Sequence, residues 1–362
     1  TVMSDSLITL KFGKNWSSLA GLQFFLLLIV LVVAGCNPDE ENDPGDSFDR
    51  EAFLINTADN LIIPAYQEAV VSAENLCTAL YDGTLDDARV ALKECAVKWQ
   101  AVAPFDFGPA MDRGLLSTTN THPCDSLDVD EDVLTGNLVP GLPSTLDRTG
   151  LPALDYLLHK GEWNAERLQH ASFLANHLHH ELQAVHDGWV EEYRDDFVSR
   201  TGTDIGSGLG MMLNAFNRTY EGNVRKGKLG LPAGVFSFTG NPKPHLTEAY
   251  HAGDWSVDLL YEAMLATERI YLGGEGVGLD DYLQSLGDVS YGTELDAEIK
   301  AQLAAAQAAV LTLEDPLSEY VVTNQPAALD VYSELQALVI LLKVDMMSAL
   351  GVLVTYQDTD GD

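Results

Sequence analysis

Apolar residues recur every three or four positions along most of this chain, a period that only helices can bury on one face. Leu295, Ile299, Leu303, Ala306, Val310, Leu313 and Leu317 form one such stripe. Leu168, Ala171, Ala175, Leu178, Leu182, Val185 and Trp189 form another. Polar residues able to cap a helix mark starts at Asn56-Thr57-Ala58-Asp59, Thr84-Leu85-Asp86-Asp87 and Thr293-Glu294-Leu295-Asp296. Glycines mark stops at Gly161, Gly222 and Gly273-Gly274. Strand-like alternation is confined to Val235-Phe236-Ser237-Phe238. The pattern predicts an all-α protein of long antiparallel helices. The glycine-rich stretch from Arg200 to Gly210 separates two helical halves, residues 50–200 and 201–362. Leu335 to Val354 is apolar enough to suggest a membrane span, but Lys343 and Asp345 interrupt it on different faces. It is expected to be a buried core helix.

The N-terminal segment fixes an expected location. Lys11 and Lys14 precede an apolar run from Phe24 to Val33, followed by Ala34-Gly35-Cys36. That is the layout of a secretory signal, here residues 1–35. Val33-Ala34-Gly35-Cys36 resembles a bacterial lipobox, which makes Cys36 the expected lipidation site. The acidic stretch 36–49, with Pro38, Pro44 and Gly45, suits a tether. Attached acyl chains would hold the protein stably at a membrane. Asn37 behind the cysteine favours the outer membrane, by analogy with Gram-negative sorting, so the cell envelope is the expected compartment.

The 362 residues carry 55 acidic against 20 basic side chains, a formal charge of −35. Such a surface repels phosphate backbones, which excludes nucleic acid as a partner. Besides Cys36, the cysteines are Cys77, Cys95 and Cys124. In an oxidising compartment three thiols allow one bridge in three pairings. Cys95 falls on an apolar stripe with Leu92 and Trp99 and reads as a core thiol. Cys77–Cys124 is the favoured pairing.

Five segments, in order and sensibly spaced, resemble the imelysin family (peptidase family M75). They are Leu61 to Tyr66, Trp99 to Pro109, Gly150 to Leu158, Arg225 to Gly234 and Leu350 to Asp362. The resemblance implies two packed helical-bundle domains with a functional site near their junction, and an association with iron uptake in the periplasm. The family signature is G-x-H-x-x-E, in which imidazole and carboxylate three apart share a helix face and can hold a metal. Here it reads Gly150-Leu151-Pro152-Ala153-Leu154-Asp155. Pro152 stands in place of the histidine and Asp155 in place of the glutamate. Ala103 stands where relatives often carry a further glutamate. Proline is tolerated in a helix's first turn, which gives Pro152 a structural explanation.

No other cluster completes a site. His180-Glu181-Leu182-Gln183-Ala184 lacks the second histidine of H-E-x-x-H. His170, His177, His179, His180 and His186 are expected on the solvated flanks of their helix. His245, Glu248 and His251 spread around a helix rather than converge. Asp358-Thr359-Asp360-Gly361-Asp362 ends before a calcium loop could close. The expected function is a non-catalytic binding or accessory component of the cell envelope, linked through the resemblance to iron or other metal acquisition. A metal-free scaffold for an envelope protein, a peptide or an outer-membrane receptor is the alternative. A metallopeptidase is the second alternative, disfavoured by the incomplete motif. Asp155, Asp106 and Asp112 are the acids nearest the motif segments and the candidate ligands for iron or another divalent metal.

Overall fold

Thr84 shows how directly the helices follow from the sequence: its hydroxyl accepts from the Asp87 N–H while Asp87 accepts from the Thr84 N–H. This reciprocal cap starts the helix where the pattern places it. The computed structural model describes residues 48–288 and 291–356, so Cys36, the 1–35 segment and the aspartates after Gln357 lie outside the described residues. Among the described residues every regular element is helical. The chain is an all-α protein.

The first helix, α1 (Arg50–Asn56), runs through a wide π-type turn at Thr57–Ile62 into α2 (Ile63–Asp82). The start expected at Asn56 is therefore internal, because Asp49 caps the helix about two turns earlier. Asn56 is buried and donates to the carbonyls of Gly273 and Val277 instead of capping. A helix α3 (Leu85–Val102) and a long helix α8 (Ala165–Gly188) both pack on α2. Between them lie α4 (Pro109–Asp112), α5 (Leu115–Asn120), α6 (Ser126–Thr135) and α7 (Gly150–His159). The later chain forms α9 (Arg194–Ser199), α10 (Gly208–Thr219), α11 (Ser256–Leu272), α12 (Leu279–Leu286), α13 (Gly292–Val310), α14 (Leu317–Thr323), α15 (Gln325–Val339) and α16 (Met347–Ala349).

The predicted stripes face inward: Ile299, Leu303, Ala306 and Val310 are buried on α13, and Ala171, Ala175, Leu178 and Leu182 on α8. One apolar core runs from Phe53 to Val352 and continues across the glycine-rich stretch. Gly222 ends no helix. It lies inside a π-helical segment, Tyr220–Gly230, that extends α10. The 335–354 region is a core element, and no helix among the described residues is long and apolar enough to cross a membrane. Its Lys343 reaches across to both oxygens of Glu221, at 3.0 and 2.8 Å. The strand-like 235–238 run is a turn that leaves Phe238 fully exposed. Cys77, Cys95 and Cys124 are free thiols, so the favoured Cys77–Cys124 bridge is not formed. Cys95 is buried in the core, and the Cys124 sulfur lies against His251 instead.

Candidate functional site

The π-helical segment Tyr220–Gly230 builds the centre of the molecule. Five-residue hydrogen bonding, seen where the Leu231 N–H reaches the Lys226 carbonyl, widens the turn and re-aims the side chains. Lys228 is thereby buried and paired with Glu248 from the loop ahead of α11. Asn120, the last residue of α5, donates to the other Glu248 oxygen at 2.7 Å. Trp99, Gln100 and Thr219 complete a cavity of about 260 Å³, with His122 on its wall. Both halves of the chain therefore supply its lining. Burial disfavours the charged carboxylate of Glu248, yet Lys228, His122 and Asn120 together hold its pKa below the usual value. Burial lowers the pKa of His122, whose ring is hydrogen-bonded to the backbone at Asn120 and Gly227.

Helix α7 abuts this cavity. Gly150 opens it with φ +68°, and a Cβ there would lie 2.1 Å from the Thr119 carbonyl oxygen. Only glycine fits both conditions. Pro152 sits in the first turn, where no amide donor is required, and lines a narrow crevice together with Asp155 and Glu248. Asp155 is 3% exposed and accepts the backbone N–H groups of His251 and Ala252, each at 2.9 Å. The His159 Nδ1 lies 3.0 Å from the same carboxylate. Asp155 thus clamps the 248–252 loop and so positions Glu248. The His251 Nε2 faces the Cys124 sulfur at 3.9 Å. Burial and the nearby Asp155 push the Cys124 thiol up to about 12, while burial lowers His251. The pair is a neutral thiol beside a neutral imidazole near pH 7, not an activated nucleophile.

The sequence matches the imelysin family (peptidase M75) over residues 60–343. This chain belongs to the imelysin family. An imelysin-like protein from Psychrobacter arcticum 273-4 has a similar structure, with a TM-score of 0.71 at 17% identity, covering 85% of this chain and 97% of that one. A candidate iron-regulated protein A precursor from Parabacteroides distasonis ATCC 8503 gives 0.66 at 15% identity, covering 86% and 97%. Among curated proteins none matches the sequence.

The acids singled out from sequence do not converge as a ligand set. Arg218 Nη2 holds Asp106 at both its carbonyl and Oδ2, 2.9 Å each, and Asp112 is exposed at the end of α4. Each Asp155 oxygen accepts a backbone amide and the Glu248 oxygens take Lys228 and Asn120, so a cation at the central carboxylates would compete with bonds already made. Pro152 offers no lone pair beside them. Among the described residues no group of three or more His, Cys, Asp or Glu side chains is arranged to hold a metal ion. Among the described residues the donors do not fit a resident metal in this imelysin.

The histidines of α8 divide differently from expectation. His180 is exposed and His186 pairs with Asp187 at 3.2 Å. His170, however, is buried, and His177 is half-buried beside Glu181, because α8 is covered by neighbours on more than one side. Glu181 is held by Arg113 in a two-pronged pair at 2.8 and 3.0 Å. The 245–251 segment is no helix. A short turn at Pro244–Leu246 delivers Glu248 to the cavity and His251 to Cys124. Asn120 and His122 carry no local signal, and Glu248 reads only as part of a dispersed trio with His245 and His251, because their pairing is long-range. Lys228 lies in a segment that marked the family and was visible there.

Proposed function

We propose that this imelysin is a non-catalytic binding or accessory component of the cell envelope, working in an iron-associated setting and anchored through lipid on Cys36. The observation that carries the non-catalytic part is the Asp155 clamp: the one motif carboxylate that remains is spent on two backbone amides. A metallopeptidase needs a metal, an activated water and a base, and the central carboxylates are already engaged by backbone amides, Lys228 and Asn120. The central cavity, roofed by neutral and internally paired polar groups, suits an uncharged or dipolar small ligand better than a bare cation. Kinship with the imelysin family and the fold shared with a protein described as iron-regulated support the iron setting. The acidic tether behind Val33-Ala34-Gly35-Cys36 supports the anchor.

Two measurements on the purified full chain test this reading. Metal analysis after supply of iron, zinc and calcium should find substoichiometric metal. Incubation with unfolded protein substrates should give no chelator-sensitive cleavage. Stoichiometric metal together with cleavage abolished by Asp155→Ala would overturn the proposal.

A further inference from the structure

A second cavity, about 400 Å³, lies away from the central one, between the end of α6 with the turn after it and the first half of α8. Asp132 and His170 reach it, and both are more than nine-tenths buried, at 5% and 6% exposure. The Oδ2 of Asp132 and the Nε2 of His170 are enclosed, yet neither makes a hydrogen bond. Arg148 is shared between Asp128 and Asp132: its Nη1 donates to Asp132 Oδ1 at 3.4 Å and stands 3.3 Å from Oδ2 without hydrogen-bond alignment, so Oδ1 is bonded and only Oδ2 is left over. Enclosed polar atoms without a hydrogen-bond partner are uncommon in folded proteins, and two on the walls of one cavity mark a place for a group that bonds them.

The chemistry of the lining selects the ligand. A carboxylate oxygen accepts only, and a neutral imidazole nitrogen accepts when its proton sits on the other nitrogen. Burial lowers the pKa of His170 despite the attraction of Asp132, which keeps the ring neutral. With the His170 proton on Nδ1 both atoms accept, and two acceptors ask for a group with several N–H donors. Glu166 at the mouth adds negative charge, so an anion is repelled. Thr135 and Gln169 add polar groups to the wall, and Val133, Leu134, Leu138 and Phe173 make its apolar part, with Leu134 and Phe173 open to solvent at 83% and 44%. We propose that the α6–α8 cavity is a binding site for a primary ammonium group carried on an apolar body. An ammonium has three donors, enough for Asp132 and His170 together. The apolar walls take the stem, and the overall charge of −35 concentrates cations at the surface.

Titration calorimetry on the full chain in about 0.15 M salt tests this with 2-phenylethylamine as probe, against 2-phenylethanol and 3-phenylpropanoate. The amine should bind at least tenfold tighter than either analogue. Asp132→Asn should weaken it at least tenfold. Because that change also disturbs Arg148, His170→Phe serves as a second variant that fills the space but accepts nothing, and should weaken binding severalfold. A blocked peptide with one lysine between two leucines tells the source of the ligand. Tighter binding than the free amine assigns a protein partner, and weaker binding assigns a small amine. No binding of the amine at millimolar concentration, equal binding of amine and carboxylate, or amine affinity unchanged in His170→Phe would overturn the assignment.

Discussion

Asp155 grips His251 by its backbone: the His251 N–H donates to Asp155 Oδ2 at 2.9 Å, and the neighbouring Ala252 N–H takes the other oxygen. The carboxylate at the end of the family motif is thus a loop anchor in this chain. Its loss leaves two amides unbonded in a part-buried setting, a cost of about 1–3 kcal/mol for each orphaned donor. Asp155→Ala is therefore expected to destabilise the fold by about 2–4 kcal/mol, and Asp155→Asn by less, since its carbonyl oxygen still accepts. Denaturant midpoints with unchanged slopes check this. An Asp155→Ala midpoint equal to wild type would show that the clamp contributes nothing.

The motif glycine and the motif proline should part company under mutation. Gly150→Ala combines a left-handed φ with a Cβ 2.1 Å from the Thr119 carbonyl oxygen. We expect a loss of about 3 kcal/mol or more, read as a fall in Tm. Pro152→Ala sits in a first turn with no donor to restore, and should change stability by less than about 1 kcal/mol. Similar effects of the two would contradict the separation of backbone and side-chain roles.

Lys228 and Glu248 form a buried pair, so removing one partner strands a charge. Lys228→Met is expected to cost about 3–5 kcal/mol, and Lys228→Met with Glu248→Gln much less. The pH dependence follows from Glu248. Its folded pKa lies below the ordinary value of 4.5, because Lys228, His122 and Asn120 outweigh the burial that pushes it up. A depressed carboxylate adds stability above its unfolded pKa and loses it as pH falls through the folded one. Wild-type stability should therefore drop from about pH 4.5 downward, and the double variant should drop less steeply over that window. Urea midpoints across this range measure both. Parallel slopes would exclude Glu248 as a source of acid sensitivity.

The helical class was legible because the three-to-four spacing of Ile299, Leu303 and Ala306 is local information. The central site was not, because its parts are local nowhere. Glu248 reads as one acid among many until Lys228 and Asn120 arrive from 20 and 128 residues away. The π-helical turn that aims Lys228 leaves no simple period, since Gly222 and Gly227 look like stops. Pro152 was interpretable in both respects: the lost lone pair and the tolerated first-turn position are properties of the residue itself.

The proposed envelope location rests on Cys36. Cys36→Ser should leave the precursor unprocessed or release the protein from the membrane fraction, judged by fractionation and by the mass of the mature N-terminus. Normal processing and retention in that variant would remove lipid attachment from the account.

If Lys228 occupies the role a cation would take, removing it should let the crevice accept a metal. Pro152 and Glu248 line the same crevice, so Pro152→His introduces an imidazole near that carboxylate. Alone it should give negligible zinc affinity, because both Glu248 oxygens are already bound by Lys228 and Asn120. Adding Lys228→Ala frees one oxygen and leaves an uncompensated negative charge beside the new ligand. The double variant should then bind Zn²⁺ at least tenfold tighter than Pro152→His alone, about 1.4 kcal/mol. Because zinc would bind the folded form, its Tm should rise with zinc concentration, which also guards against a variant that folds poorly without metal. Titration calorimetry and zinc-dependent melting give independent readouts. Equal, negligible affinity with no shift in Tm would mean that the lysine ammonium does not stand in for a metal, and that the crevice lacks the shape to hold one whatever its charge.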